Sequence, residues 1–172
     1  MIPPPLPRTL LAEIGKLVVI WAYIEQDMIL HTSAMASQDT NGKTLEYLRM
    51  DFKRLREKWY SECRKRFPEA IFNKVVNPLN VNLAKLSQER GYVVHGLWSV
   101  VGRGKFHLHI YEQKGSLESF SSDYSLTQLR RFVAASHRTS VDIHKFTSGE
   151  HSCFKNMKSA IAKIGATLKP TN

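Results

Sequence analysis

Between Pro7 and about Ala36 the apolar positions Leu10, Ile14, Leu17, Val18, Trp21, Ile24 and Met28 recur at steps of three and four. That period gathers them on one face of an amphipathic helix. At 100° per residue, Glu25 falls in the centre of the same face, between the directions of Trp21 and Val18, while Glu13 and Asp27 fall away from it. A carboxylate aimed at a core needs a cation or a hydrogen-bond donor opposite it. "SQDTNGKT" signals a turn, with Asn-Gly as its punctuation. A second helix is expected from about Thr44 to Arg66, with Leu45, Leu48, Phe52, Leu55, Trp59 and Cys63 on one face. Phe67-Pro68 closes it, and "EAIFNKVV" reads as a short helical piece. Asn77-Pro78 then reads as an N-cap with proline at the first helical position. The third long helix carries Leu79, Leu83, Leu86, Val93 and Leu97, with Arg90 at the centre of the stripe. The simplest packing pairs Arg90 with Glu25.

After Trp98 the period changes. Gly-Arg-Gly and Lys-Gly are turn signals, and Phe106, Leu108 and Ile110 alternate, which predicts a small β-hairpin with room for a third short strand. His107 and His109 share one strand face; two histidines without a third ligand do not make a metal site. Ser125 with Gln128 forms a capping box that opens a fourth helix through Leu126, Leu129, Phe132, Val133, Ser136, Ser140 and Ile143. A last segment spaces Phe154, Met157, Ile161, Ile164 and Leu168 at helical steps. The expected fold is an all-α antiparallel bundle of four to five helices, with a small β-hairpin inserted before the fourth long helix. Residues 1–6, with their "PPPLP" run, read as a flexible arm, and residues 7–169 as one domain.

Composition adds charge to this picture. The 172 residues hold 25 Lys and Arg against 15 Asp and Glu, a formal net charge of +10. Such a field attracts polyanions. "RMDFKRLREKWYSECRKR" alone carries eight basic and three acidic residues. Lys53, Arg54, Arg56 and Arg64 in this run are the candidate RNA-phosphate contacts. The two cysteines, Cys63 and Cys153, form neither a metal spacing nor a disulfide framework. Cys63 falls on an apolar stripe and reads as a small core residue. "LVVIWAYI" is too short to span a bilayer, which needs roughly 20 residues. A soluble cytoplasmic protein with no membrane association is expected. Trp21, Trp59 and Trp98 read as core, and His31, His137, His144 and His151 as residues of helix surfaces or ends.

The candidate chemistry lies in "RGYVVHGLW", an Arg90-x4-His95 pair. Arginine stays cationic and grips phosphate with a planar fork. Histidine gives or takes a proton near neutral pH. Together they suit RNA cleavage by its own 2′-hydroxyl, one group moving the proton and the other stabilising charge on phosphorus. No metal or other cofactor is called for, and no carboxylate cluster suited to Mg²⁺ is present. Five helical residues turn about 500°, which leaves the two side chains roughly 140° apart. Either a local distortion at Gly91 or Gly96, or a two-fold dimer seam, must bring such groups to one phosphate; the dimer is the favoured route.

With "RGYVVHGLW" ending a long helix and "VVIWAYIEQDMI" as a first helix with an inward Glu, the chain resembles the HEPN-domain family. The following hairpin and last helices fit the same order of elements. The resemblance implies a metal-independent endoribonuclease that acts as a homodimer, leaves a 2′,3′-cyclic phosphate, and serves as a toxin or defence effector with a neutralising protein partner. It would make Arg90 the phosphate-binding group, His95 the general acid or base, and Glu25 the group orienting Arg90. Many active members carry Asn, Asp or His directly after the arginine, where this chain has Gly91. The alternatives are a non-catalytic helical module that binds RNA or a partner protein, and a purely structural dimerisation domain.

Overall fold

The computed structural model describes residues 6–36, 46–102, 105–113 and 117–149. Most of the expected arm, the Asn-Gly turn, the Lys-Gly turn, His151, Cys153 and the Phe154–Leu168 segment lie outside the described residues. The chain forms α1 (Arg8–Ala36), α2 (Phe52–Arg66) and a single turn α3 (Glu69–Ile71). That turn runs through a π segment (Phe72–Val76) into α4 (Asn77–His95). Then come β1 (Leu97–Gly102), β2 (Lys105–Gln113), β3 (Leu117–Ser125) and α5 (Leu126–Thr147). The mostly helical fold with a small β insert ahead of α5, the last described helix, is as the periodicity predicts. The insert is a three-stranded antiparallel meander in the order β1-β2-β3.

Local chemistry explains most of the boundaries. Asp51 caps α2 by accepting from the Arg54 amide at 2.9 Å. The Ser125–Gln128 capping box opens α5 with both of its reciprocal bonds in place. Two expectations change. Asn77 is not an N-cap: its backbone is helical (φ −64°, ψ −47°), and its amide reaches back five residues to the Phe72 carbonyl. The π turn absorbs Pro78, whose missing N–H would otherwise interrupt the helical ladder. The second helix is also not continuous from Thr44. A turn and bend over residues 49–50 separate a helical turn at 46–48 from α2, which resets the register. Tyr47 is therefore buried, and Leu48, placed on the stripe by sequence, is 60% exposed.

One core joins Leu10, Leu17, Trp21, Ile24 and Met28 of α1 to Leu55, Trp59 and Cys63 of α2, Leu83 and Val93 of α4, and Leu129, Ile143 and Phe146 of α5. Contacts between named pairs give the helix directions. Trp21 meets Phe52, His31 meets Trp59 and Met35 meets Cys63, so α1 and α2 run parallel. Glu13 pairs with Arg130 and Asp27 with His144, so α5 also runs parallel to α1 at a constant offset. Antiparallel packing holds between α2 and α4, where Arg56 bonds Asn80 and Tyr60 bonds Asn77. Three helices thus point one way and α4 returns between them. α4 is the return path between the parallel helices α2 and α5. The meander is held to α4 by Trp98 Nε1 donating to the Val93 carbonyl at 2.9 Å, and by Tyr124 donating its hydroxyl to Glu89. Burial and then the Glu89 carboxylate raise the Tyr124 phenol well above its ordinary range.

Candidate functional site

Arg90 occupies the inward stripe of α4, one turn from Leu86 and Val93. It is half-buried, and its Nε is sealed from solvent with no hydrogen-bond partner among the described residues. His95 is the last residue of the same helix; it is exposed and has no hydrogen-bond partner there. The two stand about 140° apart around the helix axis, with no polar contact joining them. Gly91 faces open space, since a Cβ built on it would meet nothing within 4 Å. Gly96 differs: a Cβ there would lie 2.6 Å from the Tyr92 carbonyl oxygen, 3.0 Å from that of His109, and against Leu108 Cδ1. Gly96 therefore ends α4 in an extended conformation (ψ 157°) and lets β2 press on the helix end. Leu97, expected to continue the helical stripe, starts β1 and is exposed.

The expected Glu25–Arg90 pair does not form among the described residues. Glu25 is half-buried and lies about 60° around the helix from Met28, at the margin of the buried face. The buried carboxylate of α1 is Glu13, 7% exposed, about 40° from Leu17 on the opposite margin. Lys16 at 2.9 Å and Arg130 at 3.6 Å neutralise it.

The four candidate RNA contacts fare unequally. Arg56 is half-buried and ties α2 to α4 through the side chain and carbonyl of Asn80, at 2.9 and 3.3 Å. Arg64 lies over the Phe72 ring, 5.0 Å from its centroid. Arg54 shares the exposed Asp51 carboxylate at 3.4 Å. Lys53 is exposed with no ion-pair partner among the described residues. On the same helix, Lys58 and Lys65 both bind the buried Glu62, whose carboxyl they hold below its usual range.

Two features escape sequence reasoning. The first is His31, expected on a helix surface. Its Nδ1 accepts from Trp59 Nε1 at 3.1 Å, and its ring stacks on Phe67 and meets Phe146 edge-on. Burial lowers its pKa from 6.5 to about 4. The second is a groove of about 820 Å³ along the parallel seam of α1 and α5. Val19, Ile20, Val133 and Ala134 form its apolar wall, and Lys16, Arg130 and Arg138 its cationic rim, with His137 beside them. Tyr23 and Ser140 continue it into a second hollow of about 450 Å³ that ends at His144 and Lys145. A second apolar row on α1 was the available signal, because Val19 and Tyr23 lie outside the stripe that fills the core.

On β2, His107 Nδ1 sits 2.7 Å from Asp123 Oδ1, and the His109 ring lies 4.6 Å from that of His107. No group of three or more His, Cys, Asp or Glu side chains able to hold a metal ion occurs among the described residues. No described helix is long and apolar enough to cross a membrane. Comparison with protein-family models, with curated proteins and with solved structures finds no match for this chain.

Proposed function

We propose that this chain is a cytoplasmic helical module that binds RNA through its surplus of unpaired surface cations. One observation carries the reading: among the described side chains basic groups outnumber carboxylates, and several exposed cations have no acidic partner there. Glu13, Glu62, Asp51 and Asp27 each hold a basic partner, and Glu89 holds Tyr124. Lys53, Arg66, Lys74, Arg131 and Arg138 remain exposed without an acidic partner among the described residues. Phosphates condensed on such a surface release counterions, so affinity must fall with salt. The test is anisotropy of a labelled single-stranded RNA across a salt series. Lys53→Glu with Arg66→Glu is expected to weaken binding and flatten the slope by about 0.7 for each phosphate no longer neutralised. A salt-independent signal would sink the reading.

A second reading, metal-independent RNA cleavage by a homodimer, is favoured by the exposure of His95 at the end of the helix that also carries the half-buried Arg90. The sealed Nε of Arg90 is out of reach of a phosphate, so this reading needs the terminal nitrogens of its guanidinium to make the contact, while two exposed imidazoles can face each other across a two-fold seam. The open space at Gly91 offers a sharper test than deletion alone. In EDTA, His95→Ala is expected to abolish cleavage, and Gly91→Asn, whose Cβ meets nothing within 4 Å, to raise it. Identical product patterns from wild type, His95→Ala and Gly91→Asn would exclude catalysis by this pair.

A further inference from the structure

We propose that the α1–α5 seam is a docking groove for an acidic amphipathic helix of a partner protein. This groove does not involve the cations of α2. α1 carries two apolar faces. One fills the core; the other, through Val19 (54% exposed), Tyr23 (60%) and Leu30 (54%), faces solvent at steps of four and seven. A helix apolar on two sides has two surfaces to cover. The groove beside that second face runs from Glu13 and Arg130 to Asp27 and Lys145. At 1.5 Å per residue, this is a trough about 22 Å long, the length of a helix of about 15 residues. An open trough suits a helix laid along it better than a small ligand, which binding pockets enclose on most sides.

Charge selects the occupant. The two carboxylates in the trough are already engaged, Glu13 by Lys16 and Arg130, and Asp27 by His144 at 3.2 Å. Arg138 and Lys145 are left with no acidic partner among the described residues. The field over the apolar wall is therefore positive. A second copy of this chain brings a net charge of +10. The sequence after Gly149 brings four lysines against one glutamate. Both are mismatched to the rim. RNA matches the rim and offers nothing to the wall of Val19, Ile20, Val133 and Ala134. An acidic helix with leucines at i, i+3 or i+4, and i+7 matches both.

The probe is a fluorescein-labelled helical peptide of about 15 residues with a Leu stripe flanked by Glu, the length that the trough sets. Its controls are a permuted peptide of the same composition that lacks the stripe, and a Lys-for-Glu version. With the full chain, saturable anisotropy is expected for the acidic amphipathic peptide alone. Val19→Asp is expected to weaken it at least about tenfold, by placing a charge on the apolar wall. Arg138→Glu should weaken it about fivefold through lost rim attraction. Both positions are exposed, so the fold is unaffected, and circular dichroism checks this. Equal binding of the permuted peptide would reduce the groove to a charge patch. Indifference to Val19→Asp, or no saturation up to about 1 mM, would overturn the proposal. So would a large gain in peptide affinity in the full chain carrying Ile161→Asp, since that would make the chain's own terminal segment the occupant. A dimer in sedimentation that Val19→Asp dissociates would assign the groove to a second copy. Displacement of the peptide by RNA that is itself insensitive to Val19→Asp would place RNA on the rim only.

Discussion

Burial holds the His31 imidazole near a pKa of about 4, and the indole N–H of Trp59 fixes its Nδ1 as an acceptor. In the unfolded chain the same ring titrates near 6.5, so between these values the unfolded state binds the extra proton. The stabilisation is fully present above about pH 6.5 and is lost as pH falls towards 4, by about 3 kcal/mol in total. Urea unfolding of wild type and His31→Leu from pH 7.5 to 4 measures it. The wild type is expected to lose stability steeply across that window and the variant much less. Parallel curves would mean that the ring is hydrated. Other single residues teach the same lesson about projection. Projection along α1 was expected to centre Glu25 on the apolar face; relative to the residues that are buried, Glu25 and Glu13 lie on opposite margins of it, and which margin is covered is set by the neighbouring helix. α5 covers the Glu13 side and brings Arg130 to it. Cys63, by contrast, was legible as core from its stripe; it is fully buried beside Met35, and burial pushes its thiol far up.

At the scale of elements, boundaries written in local chemistry are the ones the sequence states clearly. The Ser125–Gln128 box and the alternation of buried Phe106 and Leu108 are where the pattern puts them. The junctions that failed are those set by contact. The start of α4 is governed by a π turn rather than by Asn77 as a cap, and its end by the approach of β2 to Gly96. Gly96→Ala is expected to destabilise by about 2 kcal/mol, because two of the three atoms that a methyl would meet are backbone oxygens with no freedom to retreat. Thermal unfolding followed at Trp98, which packs on Phe106 and Tyr124 in the meander, reports the change. Gly91→Ala, where space is open, is expected to be neutral or stabilising by about 0.5–1 kcal/mol. A reversal of that order would mean that the meander does not rest on the helix end.

In the whole molecule, α1, α2 and α5 run together and converge on one aromatic node, where Phe146 packs against His31, Trp59 and Phe67. Phe146 is 1% exposed, so Phe146→Ala is expected to cost about 3–5 kcal/mol. Because three helices share the node, the loss should appear as one cooperative shift, with Trp fluorescence and far-ultraviolet circular dichroism falling together. Separate transitions would show that α5 unfolds by itself. By itself the sequence determined the mostly helical class with a small β insert, most of the apolar stripes, the Ser125–Gln128 cap, and the excess of positive charge. All of these follow from residue identity at fixed short spacings, since helical and strand periods are local properties of the backbone. Tertiary structure alone decided the parallel sense of α1, α2 and α5, the burial of His31, the choice of Glu13 over Glu25, and the groove above Val19. Each depends on which distant residue arrives opposite, at an offset of more than a hundred positions for α1 and α5. Desolvation and ion pairing are energies of that meeting, and no short-range pattern encodes them.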